Sequence, residues 1–265
     1  MKIICTAKRV PDTTEVKTDP ETGVLQRKGV PSIINPDDTN ALEAALELRD
    51  EIPGSTVTTL TMGPDAAKIK LHELLGMGAD RAILLSDRFF GGADTLVCSR
   101  TLAAGIKKLG EFELVLCGHQ AIDGDTAQVG PEIARRLGIP SVSAVCGLEV
   151  RDGKAYVTRK LDDGTEELEV NMPCLLTVTK ELNTPRYMTM YNIVDSFENP
   201  EKEITVWDHE DIDLKPEELG LKASPTRVVQ TFTEGPRGAC EVLEGTPAAA
   251  AQKLVEKLDE KHLIK

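Results

Sequence analysis

The chain has 265 residues and a formal net charge of −13, from 31 Lys and Arg against 44 Asp and Glu. That length holds one large α/β domain, or one domain with an appendage. An acidic chain with no block of lysine or arginine argues against nucleic acid and against an anionic membrane surface as partners. No run is apolar for long enough to span a bilayer. The start, Met1 to Cys5, lacks the parts of a secretory signal, so a cytoplasmic protein is expected.

In chain order, Ile3 to Ala7 is short and apolar and reads as a strand. Asn35-Pro36-Asp37-Asp38-Thr39-Asn40 then opens a helix reaching Asp50, with Leu42, Ala45, Leu46 and Leu48 on its apolar face. Pro36 fixes the turn, and Asp37 or Asp38 is expected to cap the helix. Thr56 to Thr61 is a β-branched strand ended by Gly63-Pro64. Asp65 to Leu75 reads as a helix closed by Gly76 or Gly78, and Ala82 to Leu85 as a buried strand. Asp94 to Leu109 is helical, with Leu96, Val97, Leu102 and Ile106 inward. Phe112 to Cys117 is the next strand, and Glu132 to Leu137 the next helix. This alternation predicts an α/β fold, a mostly parallel sheet with helices on both faces.

The pattern then changes. Ala155 to Lys160 and Glu166 to Val170 flank Asp162-Asp163-Gly164, a hairpin turn signal. Cys174 to Thr179, entered through Pro173, is another β-branched run, so antiparallel strands are expected to extend the sheet. Asn183 to Asp213 holds turns, prolines and acids and reads as a long surface loop, and 214–240 is also irregular. Pro247 to His262 is an amphipathic helix with Ala250, Leu254, Val255 and Leu258 on one side. The expected organisation is an α/β domain over 1–225 and a C-terminal arm over 226–265. A helix beyond an irregular linker points to a partner chain.

The most informative stretch is Cys117-Gly118-His119-Gln120-Ala121-Ile122-Asp123-Gly124-Asp125-Thr126-Ala127-Gln128-Val129-Gly130-Pro131. A strand, a polar loop with glycine and a helix start together make a phosphate cradle, because amides and the positive end of the helix dipole face the loop. Asp123 and Asp125 would repel phosphate if they faced it. Asp125, with Gln128 three residues on, fits a capping box, and Asp123 fits an Asx-turn or a ribose contact. Gly124 allows close approach of a ligand, and the Thr126 hydroxyl can donate to a phosphate oxygen. An ordinary capped helix after a strand has the same spacing, since no full glycine fingerprint is present. Three other segments sit at strand ends on the same edge: Lys8-Arg9-Val10-Pro11-Asp12, the turn at Asn35, and Thr61-Met62-Gly63-Pro64. Asn35 is suited to an adenine or ribose edge.

Six cysteines (Cys5, Cys98, Cys117, Cys146, Cys174, Cys240) are scattered without a C-x-x-C pair, which favours buried free thiols over disulfides or metal ligands. Of four histidines, His119 alone lies beside the candidate site. Phe90-Gly91-Gly92-Ala93-Asp94-Thr95 is similar to the S-G-G-x-D-S loop of adenylating enzymes, but Phe replaces the first Ser and a first-strand position is missing, so Asp94 is expected to be a helix N-cap. No catalytic triad, carboxylate pair or metal spacing is visible. The residues describe a binder of a nucleotide or redox cofactor, with no catalytic residue of its own.

Taken together, these segments resemble the β subunit of electron transfer flavoproteins along nearly the full length. Cys5 to Thr13 resembles the family's first strand and loop. Asn35 to Asp38 with Ala41-Leu42-Glu43-Ala44-Ala45 is similar to its N-P-x-D…A-x-E-A helix start. Gly78 to Ala82, Gln120 to Thr126, Arg159-Lys160 through Thr177, and Asn183-Thr184-Pro185-Arg186-Tyr187 resemble further family segments. The resemblance implies a heterodimer whose α subunit carries an electron-transferring FAD, while the β subunit holds a second nucleotide. That nucleotide is AMP in respiratory members. In flavin-bifurcating members it is FAD, which takes a hydride from NADH and sends one electron through the α-subunit FAD to an acyl-CoA dehydrogenase and the other to ferredoxin or flavodoxin. Gly124 and Thr126 in Asp-Gly-Asp-Thr, and Ser86-Asp87-Arg88 with Phe90-Gly91-Gly92-Ala93-Asp94-Thr95, resemble the bifurcating branch, so FAD is expected over AMP.

By this resemblance the nucleotide site comprises Thr6, Ala7, Lys8, Asn35, Asp37, Asp38, Met62, Gly63, Gln120, Asp123, Gly124, Asp125, Thr126, Ala127, Gln128 and Val129. Tyr187, Met190 and Ile193 are the partner-binding residues. Asp37 departs from the aromatic residue of respiratory relatives, and Met190 from the family's usual Leu. The competing reading is a nucleotide-sensing module like the universal stress proteins, with no electron transfer.

Overall fold

The computed structural model describes residues 1–12, 31–229 and 241–264, so Thr13, Cys240 and the stretch 230–240 lie outside the described residues. The chain divides into two compact units, Met1–Val229 and Gln230–Lys265.

In the first unit, β1 (Lys2–Thr6) leads through a small antiparallel ribbon, β2 (Arg9–Pro11) with β3 (Ser32–Ile34), to α1 (Pro36–Glu51). Then come β4 (Thr56–Met62), α2 (Lys68–Met77), β5 (Arg81–Leu85), α3 (Thr95–Leu109), β6 (Leu114–Gly118) and α4 (Val129–Leu137). Next are β7 (Ser141–Arg151), β8 (Lys154–Lys160), β9 (Thr165–Asn171), β10 (Cys174–Val178), α5 (Met190–Glu198), β11 (Thr205–Trp207) and α6 (Gly220–Ala223). The second unit contains α7 (Pro247–Glu260), capped by Thr246 through the amide of Ala249 at 3.3 Å, with Leu254 and Val255 exposed.

Nine strands form one sheet in the order β11-β5-β4-β1-β6-β10-β7-β8-β9. The first seven in that order are parallel to one another, and β8 and β9 continue the sheet as an antiparallel extension. Alternation along each strand divides the core in two. Ile3 and Cys5 of β1 with Leu114 and Leu116 of β6 face one side, against Leu42, Leu46, Leu71 and Leu74 of α1 and α2. Ile4, Val115 and Leu175 face the other, against Leu102, Ile106 and Ile133 of α3 and α4. Both faces are covered, which is why β6 and β10 are apolar at almost every position.

Three readings of the sequence change here. Cys174–Val178 does not belong to the antiparallel extension; it lies in the parallel sheet between β6 and β7. All five of its residues are buried, the mark of a parallel strand covered on both faces. Its sequence position after the hairpin hid this. The second concerns β7, which the sequence pattern missed. Ala144 has φ +58, and the pairing of β7 shifts register around Val145, so its apolar alternation is broken midway. The 183–213 stretch is also more ordered than its composition implies, since it carries α5 and sends β11 to pair with β5 at the sheet edge.

Gly130 sets how closely α4 approaches the sheet. A Cβ there would overlap the Thr177 methyl and stand 3.0 Å from Cys117 Sγ. Gly130→Ala should lower unfolding stability by about 1–3 kcal/mol, the usual cost of overpacking. Urea denaturation followed by circular dichroism measures this, and an unchanged midpoint would mean that α4 has slack.

Candidate functional site

The site grows from the middle of the sheet. β1 and β6 are neighbours, but the chain leaving β1 goes to β4 on one side, and the chain leaving β6 goes to β7 on the other. The strand order reverses between them, and their carboxyl ends part to leave a crevice.

Asp38, in the first turn of α1, spans that crevice. Its Oδ2 accepts from the Lys8 amide at 2.8 Å and its Oδ1 from the Gly118 amide at 2.9 Å. The carboxyl is buried, and burial pushes its pKa up to about 7 against the lowering effect of those two amides. Gly118 has no room for a side chain, because a Cβ there would meet Asp37 Cβ and the Asp38 amide nitrogen at 2.8 Å. So Asp38 is not the cap of α1: the N-cap position is Asn35, which makes no side-chain cap bond. The carboxylate is spent on fastening two strand ends.

Asn35 is likewise turned to the protein. Its Nδ2 donates to the Gln120 carbonyl at 2.8 Å, its Oδ1 accepts from the Ile122 amide at 3.1 Å, and the residue is buried. It therefore holds the loop after β6 in place, which leaves its amide edge engaged. Lys8 Nζ pairs with Asp123 Oδ1 at 2.6 Å, and the Asp123 carboxyl is enclosed while the lysine stays half-exposed. The acid that would repel phosphate is thus covered by a cation. Asp37 is partly buried, which raises its carboxyl pKa, with the Gln120 amide and His119 opposing. His119 contacts Thr177 Oγ1 at 3.3 Å through Nδ1.

Beyond Asp123 the chain turns, and the Gly124 and Asp125 amides both bond to the Ala121 carbonyl at 3.1 and 2.8 Å. Asp125 and Ala127 then take φ of +51 and +52, while Gln128 returns to φ −102. Alternating hands of this kind direct successive amides to one side. Among the described residues, the amides of Thr126, Ala127 and Gln128 have no hydrogen-bond acceptor. They stand at the N-terminus of α4, where the helix dipole is positive. The capping box expected of Asp125 does not form: the N-cap is Gln128, without a side-chain cap bond, and the helix opens at Val129. Gly124 faces open space, with Lys8 Nζ at 3.9 Å the nearest atom to a built Cβ.

The remaining candidates lie around this loop. Thr6 and Ala7 are buried at the end of β1 and bring main chain to the edge, the Ala7 amide being taken by the Leu60 carbonyl at 3.0 Å. Met62 packs on the α3 side of the core, and the Gly63 amide bonds to the Leu85 carbonyl at 3.0 Å. Arg9 to Pro11 leave the edge to form the β2–β3 ribbon. Asp94 caps α3 through the Val97 amide at 3.0 Å, as expected from the sequence. The sequence did not single out Thr95 or Glu132. The Thr95 hydroxyl is 3.1 Å from Gln128 Oε1 and 3.2 Å from Glu132 Oε1, which draws the starts of α3 and α4 together. Cys98 and Cys117 are thiols pushed up to about 11 and about 12 by burial, so neither is a nucleophile here.

A second feature is built on the opposite flank of α1. Asn40 and Asn183 exchange side-chain amide bonds with each other's main-chain carbonyls at 2.9 and 3.1 Å. Arg186 binds the buried Glu43 through Nε at 2.9 Å and Asp50 through Nη1 at 2.9 Å. These bonds staple the start of the 183–213 segment to α1. On α5, Ile193 faces inward to Gly76 of α2, where a Cβ would meet its Cγ1 at 3.2 Å. His72 stacks on Phe197 with centroids 3.8 Å apart. Tyr187, Met190 and Tyr191 are left outward, at 95, 75 and 78% exposure.

The fold and the loop define a doubly wound α/β protein with a turn of unpaired main-chain amides, among the described residues, at its switch point. Residues 22–212 match the family described as the electron transfer flavoprotein domain. The chain is 57% identical over 265 residues to the caffeyl-CoA reductase-Etf complex subunit CarD of Acetobacterium woodii, covering all of both chains. It is 52% identical over 264 residues to the electron transfer flavoprotein subunit beta of Clostridium acetobutylicum, and 43% identical over 272 residues to the acryloyl-CoA reductase electron transfer subunit gamma of Anaerotignum propionicum, again across all of each. The chain belongs to the electron transfer flavoprotein family, among its β subunits. The nucleotide-sensing alternative gives way to this match.

Asp38 gives the site a pH signature. Its folded pKa lies above that of an unfolded aspartate, so its contribution to stability is fully present below about pH 4 and is lost as pH rises through about 7. Asp38→Asn removes that titration. The stability of the wild type relative to the variant should therefore fall between pH 4 and 8, measured by denaturation at each pH. A difference that is flat with pH would mean that Asp38 does not titrate in this window.

Proposed function

We propose that this chain is the β subunit of a flavin-bifurcating electron transfer flavoprotein, holding FAD on the switch-point loop. The carrying observation is the turn from Gly124 to Val129, with alternating backbone hand, amides without acceptors among the described residues, and the Lys8 ammonium beside it. These features fit a diphosphate. Thr126, Ala127 and Gln128 would hold its oxygens through their amides, and Lys8 would supply the cation. Gly124 leaves room at the point where a larger residue would stand. Thr6, Ala7, Asn35, Asp37, Asp38, Met62, Gly63 and Gln120 shape the crevice around the loop, and Asn35 and Asp38 do so by fixing its main chain.

When bound, FAD supplies the exchange between two-electron donation by NADH and one-electron delivery to acceptors. The acceptors in this reading are a second FAD in the α subunit, serving an acyl-CoA dehydrogenase, and ferredoxin or flavodoxin. The names of the Acetobacterium and Anaerotignum relatives, a subunit of a caffeyl-CoA reductase-Etf complex and an electron transfer subunit of acryloyl-CoA reductase, support a partner of the acyl-CoA reductase or dehydrogenase class. A structural AMP in the same cradle is the alternative; it needs one phosphate contact and no open path at Gly124. The 226–265 arm, with the outward apolar residues of α7, would dock on the α subunit. Among the described residues no helix is long and apolar enough to cross a membrane, in keeping with the cytoplasmic setting inferred for such a complex.

Gly124→Glu adds bulk and charge where the ligand must approach. The purified complex should lose the β-subunit nucleotide and keep the α-subunit flavin, as measured by cofactor content after gel filtration. Retention of both at the wild-type level would remove the loop from the site.

The outward residues of α5 fit docking of the dehydrogenase, with Met190 as the apolar anchor beside Tyr187 and with Ile193 seating the helix. Met190→Asp should weaken that contact by about 1–3 kcal/mol or more. Electron delivery to the dehydrogenase should slow while reduction by NADH is unaffected, which stopped-flow measurement of the two half-reactions decides. Equal loss in both would indicate a damaged fold, and no loss in either would exclude Met190 as the anchor.

A further inference from the structure

Along the flank of α3, that helix, Arg136 of α4 and the segment 211–214 line an open groove of about 620 Å³. It shares no lining residue with the switch-point loop. Its floor is apolar: Ala103, Ala104, Ile212 and Leu214. Its rim carries Arg100, Lys107, Lys108 and Arg136 against Asp211 and Asp213, a cationic excess on a chain whose net charge is −13.

The two guanidinium groups are fixed, but not by acids. Arg100 Nη1 donates to the Glu218 carbonyl at 2.9 Å. Arg136 donates through Nε to Ser99 Oγ at 3.0 Å and through Nη2 to the Leu96 carbonyl at 2.8 Å. Among the described residues the hydrogen-bond partners of both arginines are neutral, and neither they nor Lys107 has a carboxylate within ion-pair distance. Asp211 is committed to Lys108 at 3.6 Å, and that ammonium also lies 4.9 Å from the centre of the Trp207 ring. Neutral carbonyl and hydroxyl acceptors thus hold the two guanidinium groups in place, and the Glu132 carboxylate on α4 acts on Arg136 without forming an ion pair with it. The charge on Arg136 is disfavoured by partial burial and by the nearby Arg100, which Glu132 offsets only in part. An anion between them would relieve that repulsion, and a guanidinium is shaped to take two phosphate oxygens at once.

The volume lies in the range of small-molecule sites, roughly 300–1,000 Å³, and a concave apolar floor suits a molecule with a hydrocarbon body better than a flat protein face. We propose that this groove is a binding site for a phosphate monoester with an apolar body, its phosphate held by Arg100, Arg136 and Lys107. It is separate from the nucleotide site of the proposed function and does not depend on it.

The test uses the full chain in its electron transfer flavoprotein complex, titrated by calorimetry with phenyl phosphate and with inorganic phosphate. Phenyl phosphate should bind saturably at one site per chain and more tightly than inorganic phosphate, because only the former covers the floor. Arg100→Gln with Arg136→Gln should weaken phenyl phosphate by about tenfold or more. Because Arg136 also ties α4 to α3, a second variant, Ala104→Asp, places a carboxylate on the floor and leaves both arginine anchors intact; it should abolish binding while nucleotide content stays at the wild-type level. No saturable binding by the wild type, or undiminished binding in both variants, would overturn the proposal. So would separation of the subunits in Ala104→Asp, which would make the groove a subunit contact, or loss of bound nucleotide in that variant, which would place the effect in the switch-point site.

Discussion

Asp38 joins the two halves of the sheet where they would otherwise separate. A parallel sheet whose strand order reverses leaves two neighbouring strand ends with main-chain amides facing a gap. Here one carboxyl accepts both, from Lys8 on the β1 side and Gly118 on the β6 side. The loop after β6 can then be shaped by its own residues and by Asn35, because its root is fixed. Burying a carboxyl is costly, and the pKa of about 7 records that cost. The two amides it satisfies are the compensation.

The same helix serves a second purpose on its other flank. Asn40 and Glu43 bond to Asn183 and Arg186, so the segment that presents Tyr187 and Met190 starts from a fixed point on α1. Asp38 and Glu43 sit five positions apart, on different sides of one helix. One rigid element thereby connects the crevice to the outward face of α5. This gives a physical reason for acids at both positions: each has a buried or half-buried partner, and neither is a solvated surface charge.

The alternation of strands and helices up to Leu137 was legible because each element carries its own period and its own stop, as at Gly63-Pro64 and Gly78. Position in the sheet was not. Cys174–Val178 follows a hairpin in sequence yet returns to the centre, and nothing local in a five-residue apolar run records which neighbours it will have. β7 was lost because its bulge breaks the alternation. At the site, the loop was visible from its strand–loop–helix frame, but the work of its polar residues was not. Asn35, Asp38 and Asp123 are residue types that suit ligands, and each proves to be satisfied by the protein: Asn35 by the loop main chain, Asp38 by two strand-end amides, Asp123 by Lys8. In the proposed reading the groups that meet the ligand are main-chain amides, which no residue type announces, and the positive φ at Ala127 is carried by a residue that ordinarily avoids it.

The central claim is that the switch-point loop holds a second flavin. It is tested most directly by counting flavin and adenine nucleotide in the purified wild-type complex, using visible absorbance and chromatography of the released cofactors. The account predicts two FAD per heterodimer and no AMP. One FAD accompanied by AMP would contradict it.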